Sequence, residues 1–265
     1  MHSKTTTPEP ARPCGQREAI CYTDQPMRNY LSFGGGVNSV ALYLLCLDWG
    51  LNFEGIFVDH GADWPETYEY FDMFQGWLKK NGHKQITVLV PNVQGFTNLY
   101  DYYLFKKKVP SIMKRDCTDK FKLRPVYKYI EKPCFMLLGI DAGESHRARL
   151  NSKKSVENRY PLIEEGINRD GCKKVITDHG LPVPMKSGCF SCMFQRNAQW
   201  KQLRMIHPDL FCKAQKLEKA AMDDRLAQGK KAFTLRNNGR TIGQIIYDAP
   251  NLWPEMDYPP CQCCL

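Results

Sequence analysis

Two groups of residues in this chain have types and spacings that can do chemistry. The first is Cys189-Phe-Ser-Cys192, preceded by Cys172 and followed by Phe194 and Trp200. A Cys-x-x-Cys turn puts two sulfurs on one side of a loop, where they bind one metal ion or one corner of an iron-sulfur cluster. An iron-sulfur cluster, structural zinc, a redox dithiol and a pair with no ligand are all open to it. The second group is Ser32-Phe-Gly-Gly-Gly-Val-Asn-Ser39. Three consecutive glycines permit positive φ and close approach of backbone to a ligand. Between a strand and a helix, such a loop offers N–H groups and a helix N-terminus to a phosphate, with the Ser39 hydroxyl as a further donor. It lacks the Gly-Lys-Ser/Thr ending of a Walker A loop and the G-x-G-x-x-G spacing of a dinucleotide loop, and a plain tight turn is the alternative.

The elements that must position these groups follow from hydrophobic periodicity. Residues 29–32 read as a strand and 37–49 as a helix, with Val40, Leu42, Leu44, Leu45 and Leu47 supplying its apolar residues. A second strand spans 53–59, and a helix spans 64–81 with Pro65 in its first turn. Residues 86–90 and 135–140 are β-branched or apolar strands, and a helix is expected over 118–132 between them. Strands alternating with helices argue for a parallel α/β sheet with helices on both faces. In such sheets ligands bind beyond the carboxyl ends of the strands. Residues 141–160 are charged and poor in apolar side chains, and 161–195 are rich in Pro, Gly and Cys. Residues 207–228 are helical in pattern, and 233–247 are expected to hold a short strand and a helix. The organisation read from this is a flexible leader (1–28), an α/β domain (29–150), a Cys-rich, mostly helical region (151–258) and a Cys-rich tail (259–265) carrying Cys261, Cys263 and Cys264.

Composition limits the classes. The chain has 265 residues, 37 Lys and Arg against 28 Asp and Glu, a formal charge of +9 and 12 cysteines. The length suits one large domain or a main domain with an appendage. No apolar run approaches the roughly 18 residues of a membrane span, and residues 1–13 contain no signal-peptide core. A cytoplasmic protein with no membrane partner is therefore expected, in which the cysteines are not a disulfide framework. The positive charge points to an anionic partner. Tyr100-Asp-Tyr-Tyr-Leu-Phe-Lys-Lys-Lys108, aromatic and basic, suits either nucleic acid or the end of an amphipathic helix.

The glycine loop resembles the pyrophosphate-binding loop of the PP-loop ATP pyrophosphatases, in the form found in the phosphoadenosine phosphosulfate (PAPS) reductase branch. Asp59-His-Gly-Ala-Asp-Trp-Pro-Glu-Thr67, Arg115-Asp-Cys-Thr-Asp-Lys-Phe-Lys-Leu-Arg-Pro125 and Gly139-Ile-Asp-Ala-Gly-Glu-Ser-His-Arg147 are similar to further motifs of that branch, in the same order. Two positions depart from the pattern: Gly34 stands where Ser is usual and Asn38 where Asp is usual. Tyr160-Pro-Leu-Ile163, Gly166-Ile-Asn-Arg169, Cys172 and Pro184-Met-Lys-Ser-Gly-Cys-Phe-Ser-Cys-Met-Phe194 together resemble an iron-sulfur subgroup that includes DNA-phosphorothioation ATP pyrophosphatases and phage PAPS reductase-like proteins.

The resemblance implies an adenine nucleotide α-hydrolase-like, Rossmann-like sheet and an adenine nucleotide, ATP or PAPS with Mg2+, above it. Ser32, Gly34, Gly35, Gly36, Asn38, Ser39, Asp59, Gly139 and Glu144 would bind the nucleotide, and Asn38, Ser39, Arg115 and Arg147 would carry catalysis. Cys117, Cys172, Cys189 and Cys192 would ligate a 4Fe-4S cluster, with Zn2+ as the alternative metal. The implied activity is adenylation of a substrate with release of pyrophosphate, serving sulfur transfer or nucleic-acid modification. A nucleic-acid or small-molecule acceptor, a sulfur-donor protein and self-association belong to this expectation. The alternatives are a phosphoadenylyl-sulfate reductase using thiol chemistry, and a non-catalytic nucleotide- or nucleic-acid-binding subunit.

Overall fold

The computed structural model describes residues 27–185, 187–236 and 239–247. Nearly all of the leader and the whole cysteine tail lie outside them. Five strands form one parallel sheet: β1 (Arg28–Phe33), β2 (Phe53–Val58), β3 (Thr87–Leu89), β4 (Cys134–Leu138) and β5 (Val156–Arg159), in the order β3-β2-β1-β4-β5. After β3 the chain returns to the centre and lays β4 beside β1. Strand order therefore reverses between β1 and β4, leaving a crevice at their carboxyl ends.

Alternation along the strands divides the core. Leu31, Phe33, Phe57 and Leu137 face one side, packed with α1 (Val37–Asp48), α2 (Pro65–Lys80) and α7 (Arg169–Asp178). Tyr30, Ile56 and Met136 face the other, covered by Val126 and Ile130 at α5 (Arg124–Tyr129). Both faces of the sheet are thus buried, as a parallel sheet requires. Gly55 permits a close contact on β2, since a Cβ there would lie 2.5 Å from the Tyr43 ring that crosses it.

A second apolar core joins α3 (Leu99–Phe105), the Cys-x-x-Cys loop, α8 (Asn197–Ile206), α9 (Pro208–Ala227) and α10 (Ile242–Ile245). The buried carboxylate of Glu218 accepts the N–H groups of Leu235 and Ile242, each at 2.9 Å, and fastens the later segment to α9. No helix among the described residues is long and apolar enough to cross a membrane.

Three local readings differ from the sequence expectation. The helix expected over 118–132 is α4 (Asp116–Thr118), a π-helical stretch (Asp119–Leu123) and then α5. β5 lies in the stretch read as polar and past the boundary placed at residue 150. It is an edge strand in which Val156 is buried and Arg159 stands over the Phe135 ring at 4.8 Å. Between 233 and 247 the described residues contain α10 and no strand.

Candidate nucleotide and thiol site

β1 ends at Phe33 and α1 begins at Val37, so Gly34, Gly35 and Gly36 make the whole connection. Gly35 has φ +68°, and a Cβ on Gly36 would come within 2.6 Å of Ser187 Oγ. Gly36 is the N-cap and brings no side chain, which leaves the first N–H groups of α1 uncapped and pointing at the crevice. Ser39 Oγ accepts from the Gly34 N–H at 3.3 Å and donates to the Gly36 carbonyl at 3.0 Å, closing the loop on itself. Gly139, at the end of β4, lies against this loop: a Cβ there would sit 2.9 Å from Ser39 N.

The loop is part of the wall of a cavity of about 710 Å³, together with Ser32, Gly34, Gly36, Asn38, Ser39 and Gly139. Arg115, Lys122, His146, Arg147, Arg149 and Arg169 also line it. The size suits a nucleotide-sized ligand, and the lining supplies cations and backbone donors for an anion. Asn38 is buried, donates through Nδ2 to Asp141 Oδ2 at 2.8 Å, and leaves Oδ1 with no partner among the described residues. Asp141 is 2% exposed, and its Oδ1 accepts the Gly143 N–H at 2.9 Å.

Three expected contacts stand back from the cavity. Gly35 turns the loop from behind. Glu144 accepts Arg147 Nη1 through both carboxylate oxygens at 2.8 Å and so orients a cation that does line the cavity. Asp59 Oδ1 accepts the Gly61 N–H at 2.8 Å and the Tyr68 hydroxyl at 3.0 Å, bracing the loop after β2. Burial, then the charges of Asp63 and Asp59, push the Tyr68 phenol above its ordinary pKa, so it stays a donor.

The thiols divide differently from the expected set of four. Cys117, Cys189 and Cys192 line one small cavity of about 20 Å³ with Thr118 and Lys122. Arg115, in the left-handed region at φ 47°, turns the chain into α4, and its guanidinium lies 5.2 Å from the centre of the Phe194 ring just past the Cys-x-x-Cys turn. Burial raises the Cys117 and Cys189 thiols, with Lys122 opposing in both. Cys172 is elsewhere. It is fully buried on α7 in the core against α1, one helical turn from the equally buried Ile176. Burial, with the Asp141 charge nearby, pushes its thiol up to about 12. The spacing of Cys172 to the Cys-x-x-Cys turn does not become proximity, because α7 carries Cys172 on its apolar stripe to the opposite core.

Two residues that sequence reasoning did not assign to the thiol centre stand beside it. His60 Nε2 lies 3.6 Å from Cys189 Sγ and 3.4 Å from Asp63 Oδ1. Among the described residues, the donor atoms of His60, Asp63 and Cys189 all fall within 4.8 Å of one another. Burial works to raise the Asp63 carboxyl, but His60, Lys122 and Cys189 outweigh it and hold it below its ordinary value. The backbones are stitched as well. Asp63 and Cys189 form an antiparallel bridge, Trp64 N–H donates to the Gly188 carbonyl at 3.1 Å, and Phe190 N–H to the Ala62 carbonyl at 2.9 Å. Residues 59–64 lie in one quoted motif, but only the fold shows that they meet a turn more than a hundred positions later. Lys122 and Thr118 line both cavities, so the large cavity and the thiol centre share a wall.

An uncharacterized protein of Methanocaldococcus jannaschii is 26% identical over 200 residues, which cover 69% of this chain and 45% of that protein, so the chain spans less than half of its relative. Among solved structures, a U34-tRNA thiolase from Methanococcus maripaludis with its [4Fe-4S] cluster aligns over 76% of this chain and 73% of that one. The TM-score of that alignment is 0.44, at 14% sequence identity. Residues 28–164, which contain the whole sheet, the glycine loop and Cys117, match the phosphoadenosine phosphosulfate reductase domain. The chain therefore belongs to the phosphoadenosine phosphosulfate reductase domain family.

Proposed function

We propose that this protein binds an adenine nucleotide in the 710 Å³ cavity and activates an acceptor by adenylation, releasing pyrophosphate, in the service of sulfur transfer. The observation that carries the reading is the shared wall: Thr118 and Lys122 line both the phosphate-binding cavity and the cavity of the three thiols. In this reading the uncapped N–H groups at the start of α1 and the Gly34–Gly36 backbone take the leaving pyrophosphate, and Arg115 and Arg147 stabilise the charge that develops on it. Asn38 Oδ1, buried and without a partner among the described residues, is the group that would face Mg2+. Attack by an acceptor oxygen on the α-phosphorus needs positioning and charge neutralisation rather than a covalent protein nucleophile.

The thiol centre fits a 4Fe-4S cluster held by Cys117, Cys189 and Cys192. One tetrahedral zinc sets its thiolate sulfurs about 3.8 Å apart. Among the described residues, however, these three sulfurs do not all fall within 4.8 Å of one another. Bound there, a cluster would present sulfur and electrons to the shared wall. Lys122 would neutralise the thiolates, and the closed apolar surroundings of Trp64, Leu99 and Met193 would exclude water.

The test is pyrophosphate release from Mg-ATP by anaerobically purified protein, with RNA, DNA and small-molecule acceptors compared. Acceptor-dependent release is the expected result. Sulfite formed from PAPS with a thiol reductant would instead establish the reductase reading that the family name favours. Nucleotide binding with neither product would establish a binding subunit.

A further inference from the structure

At the thiol centre stands His60, 0% exposed, with Nδ1 buried and without a partner among the described residues. Its other nitrogen has two neighbours, Cys189 Sγ at 3.6 Å and Asp63 Oδ1 at 3.4 Å. With Cys189 a thiolate, both are acceptors, so the ring proton belongs on Nε2. The contact to sulfur is of hydrogen-bond length for that larger atom, while 3.4 Å to oxygen is longer than the 2.7–3.2 Å of a formed N–H···O bond. We propose that His60 Nε2–H donates to the sulfur of Cys189 and tunes the reduction potential of the metal centre without binding the metal itself. This rests on the three-cysteine cluster reading above.

The geometry argues for a hydrogen bond over direct ligation. A nitrogen on a neighbouring iron of the cube would have to stand well beyond 3.6 Å from a sulfur bound to the first. On one shared zinc, bonds of about 2.3 Å to sulfur and 2.0–2.1 Å to nitrogen give an edge of about 3.6 Å. That arrangement, however, leaves Cys117 and Cys192 outside the coordination tetrahedron. The ring is also held in place: the Leu99 N–H donates to the His60 carbonyl at 2.9 Å, and the Asp63–Cys189 bridge fixes the two segments against each other. An N–H aimed at a coordinating thiolate favours the reduced, more negative centre, so it raises the reduction potential.

The experiment is a redox titration of the full-length, iron-loaded protein and its His60→Leu and His60→Gln variants, followed by visible absorbance and electron paramagnetic resonance. Iron content is measured in each sample. The expected result is a midpoint potential shifted to more negative values in His60→Leu and largely restored in His60→Gln, whose amide keeps a donor. Pulsed resonance on wild-type protein with 15N-labelled histidine gives a reading that needs no variant to fold. Weak coupling to one nitrogen supports the hydrogen bond. Strong coupling from an iron–nitrogen bond, no coupling, or an unchanged potential in an iron-loaded His60→Leu overturns it. A protein that takes up zinc or no metal sinks the cluster reading together with this one, whereas an iron-loaded protein with an unmoved potential sinks this one alone.

Discussion

Exchanging the charges of Asn38 and Asp141 tests the loop at its most sensitive point. Asn38→Asp would set two carboxylates 2.8 Å apart where both residues are buried. At an effective dielectric near 20, their repulsion is about 6 kcal/mol. Keeping one of them protonated at pH 7 requires a shift of about three pKa units, or about 4 kcal/mol, and is the cheaper solution. The pair then shares a proton, as close carboxylates do. Asn38→Asp should therefore lose about 3–4 kcal/mol of stability at pH 7. Its folded-state pKa is raised, so the lost stability returns as pH falls and is lost again as pH rises, at about 1.4 kcal/mol per unit between pH 4 and the raised value. Asp141→Asn should cost about 1–3 kcal/mol through a weakened buried hydrogen bond, with no such slope. The double exchange restores one carboxylate facing one amide and should lie within about 1 kcal/mol of the wild type. Urea unfolding of the four proteins at pH 5, 6, 7 and 8 measures all of this. A single Asn38→Asp variant as stable as wild type at pH 7, or a double variant no better than the worse single, would refute the reasoning.

Three further outcomes are expected. Cys172→Ser should keep its full absorbance near 400 nm while losing about 1–3 kcal/mol from placing a hydroxyl in the core of α1 and α7, whereas Cys189→Ser should bleach; loss of colour in Cys172→Ser would return that residue to the ligand set. Gly139→Ala should fold but weaken Mg-ATP binding at least tenfold, measured by calorimetry, because its Cβ would meet the Ser39 backbone at 2.9 Å and displace the loop. Asp116 accepts from the Tyr103 hydroxyl at 2.8 Å and from Lys120 at 3.0 Å, which outweigh burial and lower its pKa. Its contribution to stability is complete above the usual carboxylate range and lost as pH falls through the lowered value, so Asp116→Asn should flatten the acid limb of a melting-temperature profile.

What was legible in the sequence was what is local. The glycine triplet, the helix after it and the apolar strands 53–59 and 135–140 carry their signals within a dozen residues, and each forms where expected. β5 escaped because an edge strand with one buried residue in four has almost no alternation to read. The thiol centre was half legible. Cys189 and Cys192 announce themselves by spacing, whereas Cys117 and Cys172 enter the ligand set only through the motif resemblance, and the fold brings just the first of these to the turn. The local signal of the second, Cys172 and Ile176 four apart on one helical stripe, spoke for core packing. The role of His60 depends on a contact across 129 positions, which no local pattern records.

The seam between residues 62–64 and 188–190 also sets an order of events during synthesis. The last strand of the sheet has been synthesised by residue 159, after the glycine loop and Cys117. The thiol centre still lacks two of its three sulfurs at that stage, and Ala62, Trp64 and Leu99 lack the loop that covers them. On the cluster reading, all three cysteines can hold metal only after the chain has passed Cys192, when the sheet is complete and α8, α9 and α10 are still to follow. On that reading, maturation of the centre is therefore a late step, and the seam of backbone bonds that closes over it forms from protein groups alone.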